Sequence, residues 1–93
     1  MKIHEFVSKL NELNPENVRD YNSQNGWGFG GADGKMYHYK NDNVRVLVAT
    51  ARYRHLPSCK FIRVDYNGKT IADVDDNVKS RERVIEKLIS IGV

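Results

Sequence analysis

The sequence predicts a two-layer α+β domain: an antiparallel β-meander of four to five strands with an N-terminal and a C-terminal helix, in the order α-β-β-β-β-β-α. Three observations carry this. Apolar residues recur at helical spacing at both ends of the chain. The middle runs as short apolar stretches with period-two alternation. Asp33-Gly34 and Asn67-Gly68 punctuate that middle, and Asn-Gly or Asp-Gly suits a type I′ hairpin turn because both central residues need positive φ. The 93 residues are 40% hydrophobic and 29% charged, the balance of a folded chain; disorder would need fewer aliphatics and a larger net charge. No repeat or linker-like stretch divides the sequence, so 1–93 reads as one compact α+β domain.

Each element has a local cause. Ile3, Phe6, Val7, Leu10 and Leu13 form one stripe with Lys9 and Glu12 opposite, which predicts a helix over about 2–13. Asn14-Pro15 ends it, since the residue before proline is pushed out of the helical region. Residues 17–25 are Asn-rich and show no clear period. Strands are expected at about 27–32, 35–40, 44–54, 59–66 and 69–74, with Asn41-Asp42-Asn43 and His55-Leu56-Pro57-Ser58 as further connections. Val78, Val84, Ile85, Leu88 and Ile89 predict the last helix over 77–91. Asp75, Asp76 or Asn77 stands where an N-terminal cap belongs, and Gly92 where a C-terminal cap belongs.

Residues 25–35, NGWGFGGADGK, contain the dinucleotide spacing G-x-G-x-x-G at Gly26, Gly28 and Gly31. A dinucleotide site needs a strand before the first glycine and a helix after the last. Here SQN precedes and a hairpin signal follows. A phosphate loop fails too, with Phe29 where its first glycine belongs and Met36 in place of the magnesium-binding Ser or Thr. A structural reading fits better. With Asp33-Gly34 as a two-residue loop, Gly30 faces Tyr37 and Gly28 faces Tyr39, so each ring covers a cross-strand glycine. Trp27, Phe29, Met36 and His38 then share the other face.

Parity assigns Val44, Val46, Val48, Thr50, Ile62, Val64, Tyr66 and Ile71 to the core with Trp27, Phe29 and Met36. The opposite face carries Tyr37, Tyr39, Arg45, Leu47, Ala49, Ala51, Tyr53, Phe61 and Arg63, an apolar and aromatic surface that a helix or a partner must cover. The pattern is equally satisfied if the two faces are exchanged, or if one helix packs on each. Tyr37, Tyr39, Tyr53, Phe61, Arg45 and Arg63 are the candidate partner-binding residues, since aromatic and Arg anchors dominate protein interfaces.

A second candidate surface is basic. Arg52, Arg54, His55 and Lys60 cluster around Tyr53, and Lys79, Arg81 and Arg83 open the last helix; cations beside an aromatic can hold phosphates and stack a base. The net charge of +3 permits a nucleic-acid partner without demanding one. The α-β-β-β-α order and the KSRER stretch resemble the double-stranded-RNA-binding domain, and the resemblance implies RNA binding through the start of the last helix. The chain departs from that pattern in its extra strands, in a last helix not rich in alanine, and in Asp73, Asp75 and Asp76, which would repel phosphates. In size and helix-sheet-helix layout the chain is also similar to small phage or mobile-element inhibitors, anti-CRISPR proteins among them. That resemblance implies docking on a larger protein or ribonucleoprotein, and a basic chain would do so by shape and aromatic anchors, not as an acidic DNA mimic.

Other chemistry is weakly supported. Asp73, Asp75 and Asn77 have the spacing that opens a calcium loop, but Val78 and Val84 replace the required Gly and Glu. Cys59 and His55 could approach each other, yet no nucleophile, base and stabiliser converge in any recognisable motif. One cysteine with histidines at 4, 38 and 55 makes neither a disulfide nor a zinc site. The expectation is therefore a non-catalytic binding protein with no metal and no cofactor that modulates or inhibits a larger protein, with direct nucleic-acid binding as the alternative. The unpaired thiol points to the cytoplasm, and the charged N-terminus to neither a signal peptide nor a membrane segment.

Overall fold

The computed structural model describes residues 1–21, 34–49 and 60–93. Helix α1 (Ile3–Glu12) is followed by β1 (Asn17–Tyr21), β2 (Gly34–Tyr39), β3 (Val44–Ala49), β4 (Phe61–Tyr66), β5 (Lys69–Asp75) and helix α2 (Val78–Ser90). The five strands form one antiparallel sheet in sequence order, which is the expected α+β layout with the expected strand count.

Both helices end as their sequences dictate. Asn14 takes a left-handed φ of 58° beyond α1, and Pro15 prevents continuation. The Asn77 side chain accepts the Ser80 N–H at 2.9 Å, capping α2. At the other end Gly92 adopts φ 86°; Val93 N–H reaches Leu88 O and Gly92 N–H reaches Ile89 O, the paired bonds of a Schellman termination.

The helices lie together on one face of the sheet. Phe6 and Leu10 of α1 and Val84, Ile85 and Leu88 of α2 pack with Val44, Val46, Ile62 and Val64, as the alternation of β3 and β4 predicts. Tyr37 and Tyr39 belong to this same core, each 2% exposed, which corrects their expected place on the opposite face. The cause is the β2–β3 connection. Tyr39 pairs with Val44, so the loop spans four residues, 40–43. A three-residue loop at Asn41-Asp42-Asn43 would put Lys40 opposite Val44, and a one-residue slip sends every side chain of a strand to the other face. Lys40, Asn41 and Asp42 accommodate the longer loop with left-handed φ values of 52°, 55° and 68°.

Two further corrections concern β2. Its outer neighbour is 17–21, not 27–32: Asn17 pairs with His38 and Val18 with Tyr37. Gly34 is the first residue of the strand instead of a turn residue, and it faces Ala49. A Cβ there would lie 2.5 Å from Val48 O and 2.8 Å from Ala49 Cα, so this glycine permits close approach of two backbones. Trp27, Phe29 and the glycines at 26, 28, 30 and 31 lie outside the described residues. In β5 the expected Asn67-Gly68 hairpin is present, with Tyr66 facing Lys69, but a bulge beyond Asp65–Thr70 sets Ala72 opposite Val64 where Ile71 was expected.

The Tyr39 hydroxyl donates to Leu10 O at 2.6 Å, satisfying one of the terminal carbonyls that α1 cannot satisfy itself. Burial raises the Tyr39 phenol well above its ordinary value, with the neighbouring Tyr37 adding to it; burial and then the Asp20 charge raise Tyr37. A phenol that holds its proton more tightly when folded stabilises the fold fully below the unfolded value near 10, and that stability is lost as pH rises beyond it.

Two substitutions test this arrangement. Gly34→Ala should lower stability by about 1–3 kcal/mol in urea denaturation, the usual cost of forcing atoms into a filled space. Tyr39→Phe should cost about 1 kcal/mol near neutral pH by loss of its hydrogen bond. The same variant should also show a shallower fall in stability above about pH 10 than the parent.

Candidate interaction surface

The sheet's two remaining faces of interest are the side away from the helices and the outer edge at β5. On the side away from the helices, Met36, Leu47, Ala49 and Phe61 form a second apolar cluster, each no more than 2% exposed. This bears out the assignment of Leu47, Ala49, Phe61, Arg45 and Arg63 to the face opposite the valines. Phe61 is fully buried and offers no surface of its own.

A polar row crosses this face. The strand register aligns Asn17, His38, Arg45 and Asp65. His38 lies 2.8 Å from Asp42 through Nδ1, an imidazole N–H donating to a carboxylate, and its buried Nε2 has no hydrogen-bond partner among the described residues. Asp65 accepts from Arg63 Nε at 2.8 Å and from the Thr70 hydroxyl at 2.9 Å. Arg63 is thus engaged within the sheet, whereas Arg45 is exposed. Of the six candidate partner-binding residues, Tyr37 and Tyr39 are buried under the helices, Phe61 is buried, Arg63 is ion-paired, Arg45 reaches solvent, and Tyr53 lies outside the described residues.

The basic candidates divide as well. Arg52, Arg54 and His55, with Cys59, lie outside the described residues. Lys60 is exposed just before β4, and its carbonyl accepts Asp76 N–H at 3.0 Å. Arg81 is structural: its Nε donates to Asp76 at 2.6 Å and its Nη1 to Met1 O at 3.1 Å, tying α2 to its own entrance and to the N-terminus. Lys79 and Arg83 remain exposed.

Arg83 borders a groove between β5 and α2. Ile71, Ala72, Asp73 and Val74 line it from the strand; Ser80, Arg83, Val84 and Lys87 line it from the helix, around a space of about 370 Å³. The helix explains the charge. Lys79, Arg83 and Lys87 recur every four residues and so share one flank, while Val84, Ile85 and Leu88 face the sheet. No ion pair engages Arg83 or Lys87 among the described residues. Asp73 belongs by register to the far face, opposite Arg63. Lys87, Ile71 and Val74 were not among the sequence candidates. The four-residue spacing of the cations was visible, but their position over a sheet edge depends on how α2 lies across β4 and β5.

The chain matches no protein-family model, curated protein or solved structure in comparison with known proteins. Among the described residues no three His, Cys, Asp or Glu side chains gather as a metal site, and no helix is long and apolar enough to cross a membrane.

The division between structural and free cations is testable by stability alone. Arg81→Ala should destabilise by about 2 kcal/mol, the scale for removing a hydrogen bond to a charged group. Arg83→Glu should change the urea midpoint little, because exposed helix charges contribute only a few tenths of a kcal/mol.

Proposed function

We propose that this chain is a small non-catalytic binding protein that docks on a larger protein and modulates it, and that the β5–α2 side is its docking surface. The observation that carries this reading is the groove itself. Apolar side chains, Ile71, Val74 and Val84, stand beside Arg83 and Lys87, two cations that no ion pair engages among the described residues. A concave apolar floor with a few convergent charged groups is the usual form of a recognition site. Burial of Tyr37 and Tyr39 argues against those two side chains as partner anchors.

Direct nucleic-acid binding is the weaker reading. Arg81, one of its three helix cations, is held by Asp76, and an apolar groove floor has no role in contacting phosphates.

The test is site-specific photo-crosslinking in the native host. A crosslinking residue at position 83 should give a discrete protein adduct, and one at position 12 on α1 should not. The adduct identified by mass spectrometry, once purified, should bind the parent chain and lose at least tenfold in affinity with Arg83→Glu/Lys87→Glu. Adducts to nucleic acid alone would overturn the reading, as would DNA or RNA binding that weakens steeply between about 50 and 200 mM salt and disappears in the same variant.

A further inference from the structure

The charges along α2 repeat at a distance that one kind of partner reproduces. Arg83 and Lys87 both line the groove and lie four residues apart, so their stems leave the helix about 6 Å apart along its axis. Of the lining residues only Asp73 is acidic, and its register opposite Arg63 turns it to the far face of the sheet. The space between strand and helix therefore meets two positive charges on one wall. Its floor is apolar, with Ile71 and Val74 half-buried and Val84 buried.

That chemistry sorts the occupants. A wholly apolar segment would take two cations out of water and leave them without counter-charges, which is costly. A basic segment would be repelled. A segment with acids alone would leave the apolar floor uncovered. The segment that fits presents apolar and acidic side chains on adjoining flanks. The space of about 370 Å³ lies near the lower end of the roughly 300–1,000 Å³ typical of sites that enclose a whole small ligand, so it suits anchoring side chains of a larger partner.

The backbone decides the form of that segment. An extended segment would need partners for its own amides and carbonyls, whereas a helix satisfies them internally. Acids four residues apart on a helix repeat at the same spacing of about 6 Å as Arg83 and Lys87. Such a helix, lying along α2, sets its apolar stripe against the floor and its acids against the cations, the helix-in-groove form of recognition. A second copy of this chain meets only part of this description. Its Glu82 and Glu86 stand four apart on α2, with Ile89 exposed nearby. Glu82, however, meets the Met1 amino group at 3.4 Å, and self-association brings together two chains of net charge +3.

We propose that the β5–α2 groove binds an acidic amphipathic helix of the partner protein, its apolar stripe on Ile71, Val74 and Val84 and its carboxylates on Arg83 and Lys87. This rests on the docking reading above and names its occupant.

The probe is an alanine-based peptide of about twenty residues, long enough to hold a helix in water. It carries leucines one turn apart and glutamates four residues apart on the adjoining flank. One counterpart has lysine in place of glutamate; another has a central proline, which breaks the helix. The full chain should bind the acidic peptide at submillimolar concentration, with the largest NMR shifts at the methyls of Ile71, Val74 and Val84. Each counterpart should bind at least tenfold more weakly. The Arg83→Glu/Lys87→Glu variant should lose the acidic peptide at least tenfold and bind the lysine peptide more tightly than the parent does. Equal affinity for the acidic peptide and either counterpart would overturn the proposal, as would shifts confined to other parts of the chain or no binding at millimolar peptide. A concentration-dependent dimer, detected by sedimentation and abolished by the same variant, would overturn it in favour of a second copy. If crosslinking at position 83 captures a protein while the peptide fails, the docking surface stands and only the acidic-helix occupant falls. If crosslinking gives no protein adduct, the docking reading itself falls.

Discussion

The four-residue loop between β2 and β3 is the constraint on which the rest of the structure depends. By pairing Tyr39 with Val44 it sends Tyr37 and Tyr39 toward the helices and Met36 and His38 to the other side. Three consecutive residues with left-handed φ are unusual outside glycine, and each costs conformational energy. The loop is tied from both ends. Asp42 meets His38, and Asn41 N–H donates to Glu16 Oε1 at 2.8 Å while Glu16 N–H donates to His38 O at 2.8 Å. Those bonds join the loop to the start of β1, so the parity of β2 and the placement of the outer strand are set by one cluster.

From that parity follows the position of α1. Tyr39 reaches Leu10 O only because its side chain points into the helix layer. Leu10 and Phe6 then pack against the same valines that receive Val84 and Leu88 of α2. With both helices on one side, α2 lies over β4 and β5, and Arg83 and Lys87 on its Lys79–Arg83–Lys87 flank line the groove beside β5. Arg81, one turn position away, is committed to Asp76 and Met1, which fixes the rotation of the helix that presents Arg83 and Lys87. A structural cation thus orients two that remain available.

Much of this was legible in the sequence where one strong local signal acted alone. The two helices, the Asn77 cap, the Gly92 termination and the Asn67-Gly68 hairpin are where local chemistry places them, although Ile3, Val78 and Ile89 of the expected apolar stripes are exposed. The strands from Val44 and Phe61 keep their expected faces because alternating valines leave a single good parity. The failures share a cause. Asp33-Gly34 carries a strong hairpin signal, yet Gly34 serves a close approach to β3, and both uses select the same residue. The Lys40–Asn43 loop is one residue longer than its Asn-Asp-Asn core suggests, because Lys40 also adopts positive φ, which its side chain does not advertise. The tyrosine surface was lost with that one residue. The groove could not be read at all, since it arises from the crossing of α2 over β5, a tertiary relation.

The most direct test of this account is the cross-strand Hα–Hα pattern between β2 and β3, read from nuclear Overhauser effects in the full chain. The structure pairs Tyr39 with Val44 and Tyr37 with Val46, and contacts in that register, together with contacts between the Tyr39 ring and Leu10, are the result it predicts. Contacts pairing Lys40 with Val44 and His38 with Val46 would contradict it. They would return Tyr37 and Tyr39 to the opposite face and remove the reason for placing the interaction surface at the β5–α2 groove.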